Sequence, residues 1–175
     1  MVKNNKFCIC FGVLCCGYFV SGIKTYKQMK TRMLWKEVDP EAYKAMSALE
    51  TYVRNSSLDK KLMDLVKVRA SQINGCAFCL DMHAFEARRI GETEQRLYTL
   101  AGWRDAPFFT PQERAALALT EAVTLVSATH VPDDVYNEAA QHFSEKELVQ
   151  LLLLIVTING WNRIVVSTRT LPQPR

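Results

Sequence analysis

Three helix-opening signatures constrain this chain more than any other feature: Asp39–Pro40, Thr110–Pro111 with Glu113, and Ser144 with Glu147. An N-cap oxygen satisfies an otherwise unpaired amide, a proline in the first turn arrives with its backbone angle set, and a glutamate three residues on closes a capping box. Apolar residues at helical spacing follow each signature, and no stretch alternates with period two. The expected fold class is therefore all-α, with about six to seven helices.

Asp39 opens a helix to about Asn55, with Tyr43, Met46, Leu49 and Val53 on one stripe. A second runs from about Leu58 through Leu62, Leu65, Val66 and Val68 to Asn74 and Gly75. Asn74 is expected to cap a third helix that ends near Gly91, and a fourth spans about Glu92 to Gly102. The helix behind Thr110 carries Ala116, Leu117, Leu119 and Val123 to about Ser127, and Pro132 opens a short helix from Asp133 to about His142. The last helix holds LVQLLLLIVTI, Leu148 to Ile158. That run is too short to span a bilayer and apolar nearly all round, so it is expected in the core and against another subunit.

The 175 residues fit one domain, and the charge of +4 is scattered along the chain without interleaved aromatics, which gives nucleic-acid binding little support. Four of the six cysteines (Cys8, Cys10, Cys15, Cys16) crowd the start, within an uncharged stretch from Phe7 to Ile23. Three readings fit that stretch: a membrane anchor, a signal peptide disfavoured by Lys24, Lys27, Lys30 and Arg32 behind it, or a segment upstream of a true start at Met29 or Met33. Residues 1–32 are accordingly set apart from the body, 33–175. The expected location is the cytoplasm, or a membrane anchor with the body on the cytoplasmic side.

The remaining cysteines lie in GCAFCLDMH, residues 75–83. On a helix Cys76, Cys79 and His83 share one face and can act on one small molecule. A disulfide between residues three apart closes too short a loop to be a good staple, but it makes a useful redox switch. The helix N-terminus favours thiolate, and His83 is placed to accept the Cys79 proton. Zinc would need a fourth ligand from His130, His142 or a distant carboxylate. Haem attachment fails because Leu80, not a histidine, follows Cys79. Two inert buried cysteines are a further reading. His130 and His142 are assigned to exposed helix ends with no role. Asp64, twelve residues before Cys76, could hold or protonate His83 if the Asn74–Gly75 turn folds its helix back.

The run DLVKVRASQINGCAFCLDMHAFEARRIGETEQRLYTLAGWRDAPFFTPQERAALALTEAVTLV, with the later INGWNRI, resembles the AhpD-like alkylhydroperoxidases of the carboxymuconolactone decarboxylase superfamily, over roughly Trp35 to Arg169. The resemblance implies an AhpD-like helical subunit assembled as a homo-oligomer, trimer or hexamer, with its cysteine helix in a pocket near subunit contacts. It implies that Cys79 attacks an organic hydroperoxide, that Cys76 resolves the sulfenic acid to a disulfide, and that His83 and the acid at position 64 relay protons. An external dithiol of lipoyl or thioredoxin type would reopen the disulfide, with no metal or organic cofactor. The family's acid is a glutamate, so Asp64 is one methylene short and direct contact with His83 would need a bridging water. The helix dipole favours thiolate at Cys76; the resemblance favours Cys79, whose i+4 neighbour is His83. Two rival functions remain, a lactone-acid decarboxylase, whose members lack the cysteine pair, and a redox-sensing interaction protein.

Overall fold

A computed structural model describes residues 29–174, and among them every regular element is a helix. In chain order these are α1 (Trp35–Val38), α2 (Pro40–Arg54), α3 (Lys60–Asn74), α4 (Ala77–Arg89), α5 (Glu94–Thr99) with a 3₁₀ turn (Leu100–Gly102), α6 (Pro111–Thr124), α7 (Val126–Thr129), α8 (Asp133–His142) and α9 (Glu145–Thr168). The stretch Phe7–Ile23, and with it the anchor, signal-peptide and start-site readings, lies outside the described residues.

The caps form as their local chemistry dictates. Asp39 Oδ1 accepts from the Ala42 amide at 3.0 Å, and both capping boxes close, Thr110 with Glu113 and Ser144 with Glu147. Asp59 caps α3 by accepting from the Leu62 amide at 3.0 Å. Two single-turn helices, α1 and α7, add to the seven segments expected from sequence. The helix expected to reach Ser127 breaks at Leu125, with α7 taking up the chain behind it, and only the middle of Glu92–Gly102 is α-helical.

α3 sits at the centre, packed against α4, α6 and α9. One core joins Val53, Leu62, Met63 and Val66 to Leu119 of α6 and to Leu148, Leu151, Leu154 and Ile155 of α9. A second gathers Leu65 and Val68 around Leu97, Leu100, Trp103 and Phe109. Each fully buried leucine contributes ~2 kcal/mol from area removed from water. α9 runs 24 residues and is long and apolar enough, on length and composition, to cross a membrane, which the eleven-residue run alone did not suggest. Its buried face makes it a core helix, while Val149, Val156 and Val166 stand exposed on the other side.

Asn74 corrects an expectation. It is the last residue of α3 and does not cap α4; Gly75 follows in the left-handed conformation at φ 64°. The Asn74 amide nitrogen instead lies 2.9 Å from the carbonyl of Ala70 and from the Oδ1 atoms of Asn159 and Asn162. Asn162 in turn donates to Ser71 at 3.0 Å, and Asn159 donates to Thr124 at 2.9 Å. These buried amides satisfy one another and pin the turn ahead of the cysteines to α9, which fixes where α4 begins.

Candidate active site

Cys76 is the N-cap of α4. Its Sγ accepts from the Cys79 amide at 3.3 Å, the place that Asn74 was expected to fill. Cys76 and Cys79 are joined as a disulfide, with Cα atoms 5.4 Å apart, so this is the oxidised state of the pair. Both sulfurs lie among Ala70, Ile158 and Val165. Cys79 is only 1% exposed, yet it borders a cleft of about 550 Å³ together with Met82 and His83; Cys76, equally buried, does not line it.

Three aromatic rings also line the cleft. Trp35 of α1, Tyr43 of α2 and Trp161 of α9 meet at centroid distances of 5.4, 5.8 and 5.9 Å. The segment before α1 is tied down by Arg32, whose amide donates to the Thr168 carbonyl at 2.9 Å and whose guanidinium donates to that of Ser167 at 3.0 Å. Met46 packs where Gly160 brings α2 and α9 together: a Cβ at Gly160 would come within 3.1 Å of the Met46 methyl.

His83 is buried at 3% exposure, and its Nδ1 lies 3.1 Å from Glu86 Oε2, one turn along α4. Burial pushes the His83 pKa down despite that carboxylate, so the ring is neutral near pH 7. A neutral ring beside a carboxylate donates from Nδ1 and keeps Nε2 as its acceptor. Glu86 stays ionised, its pKa held down to about 2 by the hydrogen bond from His83, with Arg54 assisting.

Glu86 opens a chain of charges. Arg54 Nη2 lies 3.2 Å from Glu86 Oε1, Arg54 Nε lies 3.1 Å from Glu50 Oε1, and Glu50 also pairs with the buried Lys67. Asp64 lies in this cluster on α3, with a carboxylate oxygen within 4.8 Å of both the His83 ring and Glu86 but no hydrogen bond to His83. Burial pushes its pKa up to about 6, against the pull of Lys67. A second cleft of about 400 Å³ opens onto Asp64, Glu86, Lys67, Arg54 and Arg89. His83 borders the first cleft, while its carboxylate partner borders the second.

Three of the sequence-derived residues thus fall together, with Cys79 bonded to Cys76 and sharing a cleft with His83; Asp64, from α3, comes within 4.8 Å of His83 but borders the other cleft. Glu86 was missed, although its i+3 spacing from His83 was a signal in the sequence itself. Asp64, His83 and Glu86 could each offer a ligand atom to a cation; Glu86 is already paired with Arg54, and Asp64 makes no ion pair among the described residues. His130 is exposed, and His142 ends α8 with Nε2 3.3 Å from Glu138, far in sequence from the cysteines.

An all-α fold whose cysteine pair opens a helix beside a buried histidine defines a class, and comparison with known proteins places the chain within it. The model of the carboxymuconolactone decarboxylase family matches residues 40–122. The uncharacterized protein YdfG of Bacillus subtilis is 45% identical over 139 residues, which cover 79% of this chain and 95% of YdfG. A solved structure from Agrobacterium tumefaciens, of unknown function and a candidate antioxidant defence protein AhpD, is 44% identical with TM-score 0.82, covering 83% of this chain and all of that one. The debrominase Bmp8 shares the fold at TM-score 0.71 and 20% identity, covering 78% of this chain and 74% of its own. The chain belongs to the carboxymuconolactone decarboxylase family, in its AhpD-like branch.

Proposed function

We propose that the protein is a thiol-dependent peroxidase that reduces organic hydroperoxides. The observation that carries this reading is that Cys79 lines the cleft with His83, while Cys76, off the cleft lining, is within disulfide reach of it. Nε2 of neutral His83 takes the Cys79 proton, and the thiolate attacks the terminal oxygen of ROOH. The S–O bond forms as the O–O bond breaks, and His83 returns the proton to the leaving alkoxide, giving ROH and a sulfenic acid. The Cys76 thiol then displaces water to form the disulfide, and an external dithiol reopens the pair by two exchange steps, leaving its own disulfide. Asp64 exchanges protons with the relay from the second cleft. This cycle uses no metal or organic cofactor. A lipoyl-type or thioredoxin-type dithiol fits the reductant role, and the cytoplasm, where such dithiols stay reduced, fits as the compartment. The AhpD-like resemblance implies a homo-oligomer, trimer or hexamer, for which Val149, Val156 and Val166, exposed on α9, offer apolar contact.

To test the reading, the reduced protein is given one equivalent of cumene hydroperoxide, alkylated and digested. The Cys76–Cys79 peptide is expected to emerge unalkylated and two hydrogens lighter, and to remain alkylated on Cys76 in Cys79→Ser. Both thiols alkylated in the wild type would sink the peroxidase. Repeated turnover with excess dithiol separates an enzyme from a sensor, which would react once and stop.

A further inference from the structure

We propose that Glu86 is the positioning residue of the His83 relay: it takes the ring contact that the family resemblance gives to the acid at position 64, and it holds His83 with Nε2 free to serve Cys79. The inference deepens the peroxidase reading and rests on it for its kinetic consequences, but not for its structural ones.

The geometry is specific. A histidine with two usable ring nitrogens needs one of them committed before the other has a defined role. Glu86 commits Nδ1 at 3.1 Å from the same helix, so the contact survives any shift between helices. Asp64 comes from another helix, with a shorter side chain and no hydrogen bond to the ring. Glu86 is itself held by Arg54 Nη2 at 3.2 Å, and Arg54 is held by Glu50, which pairs with Lys67. The charges around the ring are therefore Glu50 and Arg54 from α2, Asp64 and Lys67 from α3, and Glu86 from α4. Of these, only Glu86 is hydrogen-bonded to the ring.

The acid partner has thus moved from the facing helix to the histidine's own. Asp64 is left facing the second cleft, where it can exchange protons without controlling the ring's orientation. A carboxylate on the ring also favours its protonated form, so removing the charge moves the histidine's titration to lower pH.

Two readouts test this on the full chain. The first is the nitrogen spectrum of the imidazoles, which is tractable because the chain has three histidines. His83 is expected as the Nδ1–H tautomer in the wild type and in Asp64→Asn, and as a tautomer mixture in Glu86→Ala. The second is the pH profile of kcat/KM for cumene hydroperoxide. Glu86→Gln can still accept a hydrogen bond but lacks the charge; its acidic limb is expected to move down by about one pH unit, with about a tenfold loss at neutral pH. An unchanged tautomer in Glu86→Ala, or its loss in Asp64→Asn instead, overturns the proposal. If the wild type shows no peroxidase turnover, the activity reading falls, and the tautomer comparison still decides the role of Glu86.

Discussion

His83 and His142 make the same local contact and live in different worlds. Each ring nitrogen faces a glutamate one helical turn away, Glu86 at 3.1 Å and Glu138 at 3.3 Å. The His83 side chain is 4% exposed against 27% for His142, and only His83 borders a cleft with a thiol. A hydrogen-bonded His–Glu pair is therefore not a site in itself. Burial, which makes the neutral ring the resting form, and a nucleophile on the same face make it one.

The largest expected effect separates the two histidines outright. His83→Ala should lower peroxidase kcat/KM by about a hundredfold or more, as loss of a general base does, whereas His142→Ala should leave it unchanged in the same assay. Equal effects would mean that burial is not what distinguishes them. Next comes the support around the buried pair. Lys67→Met leaves Glu50 with Arg54 as its one remaining cationic partner in a half-buried setting and should cost about 2 kcal/mol in urea unfolding.

The third test uses pH. Asp64 has a folded pKa of about 6 against 3.8 for the free side chain, so the folded state binds that proton more tightly than the unfolded chain does. Its contribution to stability is present below pH 3.8 and is lost as pH rises through about 6. Asp64→Asn removes the burial cost of the charge, so the variant should gain about 1–3 kcal/mol relative to wild type between pH 4 and pH 8. An unchanged difference across that range would show that Asp64 is well solvated. The smallest effect is expected at the other pair, where Glu138→Gln should change stability by less than about 0.5 kcal/mol.

Local chemistry made much of this fold legible in advance. The capping boxes at Thr110 and Ser144 and the proline start at Pro40 act within one turn, so the sequence states them directly. Asn74 misled because its partners, Asn159 and Asn162, lie more than eighty residues away, and nothing local predicts that an amide will choose them over a helix cap. The line of Cys76, Cys79 and His83 was readable from helical spacing. Glu86 obeys the same spacing but lies outside the GCAFCLDMH motif, which ends at the histidine. The aromatic wall of Trp35, Tyr43 and Trp161 could not be read, because three helices from both ends of the body supply it.

The sulfur that caps α4 carries one last consequence. The Cys79 amide points its hydrogen at Cys76 Sγ, the atom whose bonding changes in every proposed turnover. In the disulfide that sulfur is bonded to Cys79, whereas in the reduced pair it is a thiol that carries its own hydrogen, so the acceptor seen by the amide changes. The backbone of α4 therefore carries its own redox gauge: the proton resonance and exchange rate of a single amide should report whether the pair is open or closed, with no label attached to either cysteine.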